Sequence, residues 1–150
     1  MKINLPRKEK IQQKKNKSGF SLVELLIVFS LMGVLLSISL AALGSTRKSA
    51  RDSKRKADLE QIRSALEMYR TDVGIYPSNL LFGTGSLSFG NDIYLSSVPN
   101  DPLSSPYTYV YSRLTNNSYV LCAYLETGSG NAGCGDCSSG VACNYRVTNP

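Results

Sequence analysis

The chain is 150 residues long and contains no histidine. That absence removes the Ser/His/Asp and Cys/His nucleophile sets, and no glycine-rich phosphate loop stands in their place, so neither an enzymatic activity nor a cofactor is expected. Proline is missing between Pro6 and Pro77, which leaves nothing in that stretch that obliges a helix to break. Cysteine is missing from the first 121 residues. Charge is missing from Phe20 to Leu43 with one exception, Glu24. A carboxylate inside a segment of bilayer length costs several kcal/mol unless it finds a partner, so this acid is the first feature that asks for a function.

What is present is unevenly placed. The net charge of +6 belongs wholly to residues 1–19, where Lys2, Arg7, Lys8, Lys10, Lys14, Lys15 and Lys17 stand against Glu9. The rest of the chain carries ten charges of each sign. Removal of the basic leader therefore leaves a neutral protein. Basic residues between 47 and 70 are matched by acids and lack interleaved aromatic platforms, so no nucleic-acid partner is expected through a basic patch.

The run Phe20–Leu43 would extend about 36 Å as a helix at roughly 1.5 Å per residue, enough to cross a hydrocarbon core of about 30 Å. It is longer than the apolar centre of a secretory signal, and Ser39–Leu43 makes a poor cleavage site, which argues for a membrane segment. Arg47, Lys48, Arg51, Lys54, Arg55 and Lys56 crowd its far side, so the inside-positive bias favours a cytoplasmic leader only weakly. Cys122, Cys134, Cys137 and Cys143 decide the orientation. An even number of cysteines in a Gly/Ser-rich tail suits an oxidising compartment, which puts the C-terminal part outside the cytosol.

Beyond the span, Leu59, Ile62, Leu66, Tyr69 and Val73 recur at steps of three and four and form one apolar stripe. Asp52/Lys56, Lys54/Asp58, Lys56/Glu60 and Arg63/Glu67 stand four apart and read as a solvated, self-paired face. Gly74 supplies a C-cap and Pro77 prevents resumption, so one helix is expected from Ser21 to Val73, with any softening near Gly44. Residues 74–106, rich in Gly, Pro, Ser and Asn, read as a connecting loop. Residues 107–113 and 118–125 read as a hairpin, and 141–147 as a third strand. The expectation is an α+β fold in which a long N-terminal helix packs on a small antiparallel sheet. Its parts are a leader (1–19), a membrane helix (20–43), an amphipathic half (44–73), and loop, sheet and cysteine tail (74–150).

Cys134-Gly-Asp-Cys137 admits a redox pair or part of a four-thiolate zinc site, but no βαβ context supports redox chemistry. Two structural disulfides are the expected state, with three connectivities open and no metal. Asp92, Asp101 and Asp136 are too sparse to make a convincing calcium loop.

The stretch Lys17-Ser-Gly-Phe-Ser-Leu-Val-Glu-Leu-Leu-Ile-Val resembles the processing signal of type IV pilins and of the pseudopilins of type II secretion. Gly19, Phe20 and Glu24 match its three positions, and residues 58–78 and 97–102 resemble the rest of a pseudopilin helix and the loop before its sheet. The resemblance implies cleavage after Gly19 by a prepilin peptidase, where a missing side chain lets the backbone lie extended, and N-methylation of Phe20. It also implies polymerisation with other pilin or pseudopilin subunits on an inner-membrane assembly platform. Glu24 would then neutralise the Phe20 amine of a neighbour and so set the register. On this reading the chain is a single-pass protein of the bacterial cytoplasmic membrane, held in lipid until it enters an extracytoplasmic filament. Ser21-Leu-Val-Glu24 is also a capping box, a purely local role for the same acid. The cysteine tail leans towards a pilin. The competing reading is a membrane-anchored, disulfide-stabilised extracytoplasmic binding domain that does not polymerise.

Overall fold

A computed structural model of the chain describes residues 19–149, without the side chains of Ala41 and Ala42. Residues 1–18, which hold every charge of the leader, lie outside the described residues. One helix, α1 (Leu22–Val73), is followed by β1 (Leu87–Phe89), β2 (Asp92–Leu95), β3 (Val110–Thr115), β4 (Ser118–Ala123), β5 (Asp136–Ser138), β6 (Val141–Ala142) and β7 (Tyr145–Thr148). All strand pairs are antiparallel. The class is α+β, as the periodicities imply.

Helix α1 runs unbroken through Gly33 and Gly44, consistent with the missing proline. At its start the Leu25 N–H donates to the Ser21 carbonyl at 3.2 Å. The side-chain bonds of a Ser21/Glu24 capping box do not form among the described residues. At its end Gly74 has φ 84° and its N–H donates to the Arg70 carbonyl at 2.7 Å. A left-handed residue closing the last turn in this way is what glycine allows at low cost.

The chain divides at Ala41/Ala42 into two units. In the second, Leu59, Ile62, Ala65 and Leu66 are each at most 1% exposed and form the helix side of the core. Tyr69 packs against that core while partly exposed. The sheet side is the three-stranded β3-β4-β7, with β4 in the middle. Successive residues of a strand point to opposite faces, and β4 uses both. Tyr119, Leu121 and Ala123 belong to the core built on α1, whereas Cys122 joins Cys137 and Cys143 in a second cluster with Val110, Val120 and Tyr124. The hydroxyls of Tyr76 and Tyr119 enter the core margin and donate to the Glu67 carboxylate at 2.9 and 3.3 Å.

Two expectations need correction. Residues 74–106 are not only a loop: β1 and β2 form a hairpin around Gly90-Asn91, with Gly90 at φ 61°. Phe89 and Tyr94 from that hairpin meet Tyr69 edge-on at 6.1 and 5.4 Å, and Leu80, Leu87 and Val98 enter the core. The expected strand 141–147 is split, β6 pairing with β5 and β7 with β4. Asn144 between them exchanges two hydrogen bonds with the Leu125 backbone, at 2.7 and 2.9 Å, and so replaces a ladder step with a side chain.

The core predicts unequal costs along one helix. Leu66→Ala should destabilise the second unit by about 2–5 kcal/mol in denaturant unfolding of the detergent-solubilised chain. Leu40→Ala, at a side chain 66% exposed, should leave the same transition in place.

Candidate functional site

In the first unit the helix is apolar all round and exposed all round, with none of its most apolar stretch buried. Between residues 22 and 40 its polar side chains are Glu24, Ser30, Ser37 and Ser39. The three serines donate back to the carbonyls of Ile27, Val34 and Leu35 at 2.8, 2.7 and 3.0 Å. Their hydroxyls can therefore enter lipid or a helix core without losing a partner. Glu24 has no hydrogen bond or ion pair among the described residues. Gly19 and Phe20 are exposed just before the helix, and Glu24 stands in its first turn.

The second unit handles charge in the opposite way. The buried face of α1 continues N-terminal to Leu59, but in polar residues: Asp58 and Asp52 are 4% exposed and Arg55 is fully buried. Arg55 grips Asp101 through Nε and Nη2, at 2.8 and 3.0 Å, in the forked geometry that suits guanidinium and carboxylate. Its Nη1 reaches Asp52 at 2.8 Å and Glu126 at 3.0 Å. Asp52 in turn accepts the Glu126 amide, the Thr127 amide and the Thr127 hydroxyl at 2.9, 2.8 and 2.7 Å. Arg51 makes two bonds of 2.6 Å to Glu126. Helix α1, the loop at Asp101 and the segment after β4 thus meet at one guanidinium.

The protonation states follow from these contacts. Burial works against the Arg55 cation, but hydrogen bonds to Asp101, Glu126 and Asp52 outweigh it and hold the group charged well above its ordinary range. Burial pushes Asp52 up, yet the Thr127 and Glu126 donors and Arg55 leave its carboxyl below the ordinary value. The Arg51 hydrogen bond holds Glu126 down against burial. Burial and the neighbouring Asp58 carboxylate push the Tyr109 hydroxyl up, and that hydroxyl donates to Asp58 at 2.9 Å.

The self-paired solvated face is thereby corrected. Of the four expected pairs only Lys54–Asp58 forms, at 3.0 Å, and Arg63 bonds Glu60 rather than Glu67. A signal was available: Asp52, Arg55 and Asp58 extend the three-and-four spacing of Leu59 and Ile62 without the hydrophobicity that marks a buried face.

The cysteines join as Cys122–Cys134 and Cys137–Cys143, with Cα separations of 6.4 and 5.0 Å. Cys134 and Cys137 are therefore not a pair with each other. Asp92, Asp101 and Asp136 are not brought together: Asp101 is bound to Arg55, while Asp92 and Asp136 are exposed on β2 and β5. Among the described residues no group of three or more His, Cys, Asp or Glu side chains is arranged to hold a metal ion.

Removing Arg55 takes the shared cation from three carboxylates, and Asp101, fully buried, loses both bonds of the fork. Arg55→Ala should cost about 3–5 kcal/mol in unfolding free energy, and Arg55→Lys should recover little because an ammonium cannot reproduce the fork. Acid should act on the same cluster. Asp52 and Glu126 titrate below their ordinary values of 3.8 and 4.5 when folded, so the unfolded chain binds more protons in that range. Their stabilisation is complete above the ordinary values and is lost as pH falls through the lower folded ones. Melting temperature followed against pH should be level above about pH 5 and drop below about pH 4, and Glu126→Gln should shrink the drop.

Comparison with known proteins places this arrangement. The family model for type II secretion system (T2SS), protein G matches residues 42–136, and that for the prokaryotic N-terminal methylation motif matches residues 14–40. Among similar curated proteins, type II secretion system core protein G of Pseudomonas aeruginosa is 31% identical over 108 residues, covering 65% of this chain and 76% of that protein. The core protein G of Aeromonas hydrophila is 29% identical over 106 residues, covering 63% and 73%. That of Dickeya chrysanthemi is 28% identical over 107 residues, covering 64% and 69%. No solved structure matches the chain. The leaning towards a pilin that the cysteines gave is overturned by these matches, the first of which ends before Cys137. The chain belongs to the type II secretion system protein G family.

Proposed function

We propose that the chain is made as a precursor, cut after Gly19 by a prepilin peptidase, methylated at the Phe20 amine and polymerised through residues 20–43 into a pseudopilus. Its role is structural and not enzymatic. The observation that carries this reading is Glu24, the polar side chain of residues 22–40 whose partner is not supplied by its own helix. Cleavage creates the missing cation. Glu24 of one subunit neutralises the Phe20 amine of another as the apolar helices leave lipid for a core of like helices. A slipped register would leave both ions bare, so the pair selects the register.

The same reading assigns the working parts. Residues 1–19 are the leader, 20–43 the membrane and assembly helix, 44–73 the amphipathic half, and 74–150 the loop, sheet and tail. The subunit waits in the cytoplasmic membrane with its C-terminal unit outside, where the disulfides are stable. Its partners are the peptidase, an inner-membrane assembly platform and other pseudopilin subunits.

Mass spectrometry of the native membrane protein should find N-methyl-Phe20 at the terminus. An intact Met1 in membranes with active peptidase sinks the proposal. Glu24→Ala should insert normally while filament incorporation falls by at least about tenfold, the loss of one buried partnered charge being worth more than that. Normal filaments from this variant would remove the register role of Glu24.

A further inference from the structure

Six basic residues lie between positions 47 and 56, just beyond the apolar run that ends at Leu43. In sequence they look like one cationic patch, but the fold divides them. Arg51 and Arg55 are bound to Glu126, Asp52 and Asp101. Lys54 is paired with Asp58 at 3.0 Å, and the Lys56 ammonium lies over the Tyr145 ring at 5.6 Å. Arg47 and Lys48 remain, both exposed, with no hydrogen bond or ion pair among the described residues.

Their place along the helix gives these two cations a use. At roughly 1.5 Å per residue, Arg47 and Lys48 lie about 6 and 7.5 Å beyond Leu43 along α1. A bilayer of about 40–45 Å with a hydrocarbon core of about 30 Å has a headgroup layer of about 5–8 Å on each side. Arg51 already lies about 12 Å out and Lys56 about 20 Å. The two uncommitted cations are thus those that fall at phosphate depth when Leu43 marks the edge of the hydrocarbon.

We propose that Arg47 and Lys48 bind the phosphate groups of anionic phospholipids on the outer face of the cytoplasmic membrane and hold the subunit there until it is drawn into a filament. The proposal rests on the membrane-inserted state set out above. A neighbouring copy is the weaker candidate for the anion. Asp52, Asp58, Asp101 and Glu126, the acids that meet the other cations of this stretch or their neighbours, are already engaged within their own chain, and the exposed Asp92 and Asp136 lie on β2 and β5, away from it in sequence. Entry into the filament then requires these lipid contacts to break along with the transfer of the apolar helix.

The chain has no tryptophan, so Leu40→Trp, at an exposed position three residues before Leu43, introduces a single reporter. The full chain carrying it would be reconstituted in mixed phosphatidylglycerol and phosphatidylcholine bilayers. Quenching by nitroxide-labelled phosphatidylglycerol is then compared with quenching by labelled phosphatidylcholine. A cation near an anionic surface is worth about fivefold in local lipid preference, so a severalfold bias towards phosphatidylglycerol is expected. The bias should collapse near 1 M salt, where screening acts within about 3 Å. Arg47→Gln with Lys48→Gln should bring it close to unity, and Lys56→Gln should leave it unchanged. No bias in the parent, or a bias that survives the double substitution, overturns the proposal. So does a double variant that keeps its lipid bias but no longer assembles, since the cations would then serve a protein neighbour. Absence of quenching by either lipid, with release of the chain by alkaline wash, would instead remove the membrane-inserted state on which the proposal rests.

Discussion

Arg55 can leave water only because Asp52, Asp101 and Glu126 leave it too, and helix α1 is positioned on the rest of its unit by that requirement. A buried guanidinium without counter-charges is far costlier than any single apolar contact, whereas one in a complete cluster is close to neutral in stability. What the cluster supplies is selectivity. Helix, loop and post-β4 segment can meet in one arrangement that gives every carboxylate its donors, and a shift of α1 by one turn would leave several of them bare. The apolar contacts of Leu59, Ile62 and Leu66 then add the stabilisation that the charges do not.

The same rule operates at the other end of the helix with the opposite outcome. Arg55 finds its partners within the chain; Glu24 finds none among the described residues. The serines around Glu24 are satisfied by their own helix, so the surface between residues 22 and 40 is prepared for an apolar environment except at this carboxylate. One uninterrupted helix carries a charge solved by folding and, on the function proposed above, a charge left for assembly. The membership in the protein G family and the methylation motif over residues 14–40 agree with a subunit built for association through this segment.

Much of this was legible in the sequence, because the features involved are periodic or carry strong local chemistry. The helix from its first turn to the Gly74 cap, the stripe from Leu59 to Tyr69 and the hairpin of β3 and β4 all follow from spacing and turn residues. The even cysteine count pointed to disulfides, but their connectivity needed the fold, since Cys122 is on β4 and its partner Cys134 is in the following loop. The β1–β2 hairpin was hidden because its strands are three and four residues long within a Gly/Pro-rich stretch, although Phe89-Gly-Asn-Asp92 is a serviceable turn signal. The Arg55 cluster was hidden for a deeper reason. Hydrophobic periodicity detects a buried face by its apolar residues, and here the first turns of that face are Asp52, Arg55 and Asp58. Asp101 and Glu126 reach Arg55 from 46 and 71 residues away, which no local pattern encodes.

The claim that ties the two ends together is that Glu24 is neutralised by another copy of the chain. Solid-state NMR on intact filaments assembled from a mixture of two labelled populations tests it directly. One population would carry ¹³C at the Glu24 carboxylate and the other ¹⁵N at the Phe20 amine. The account predicts dipolar contact between the two labels at ion-pair distance, about 4 Å or less between nitrogen and carboxylate oxygen. Well-formed filaments with no such contact between subunits would contradict it.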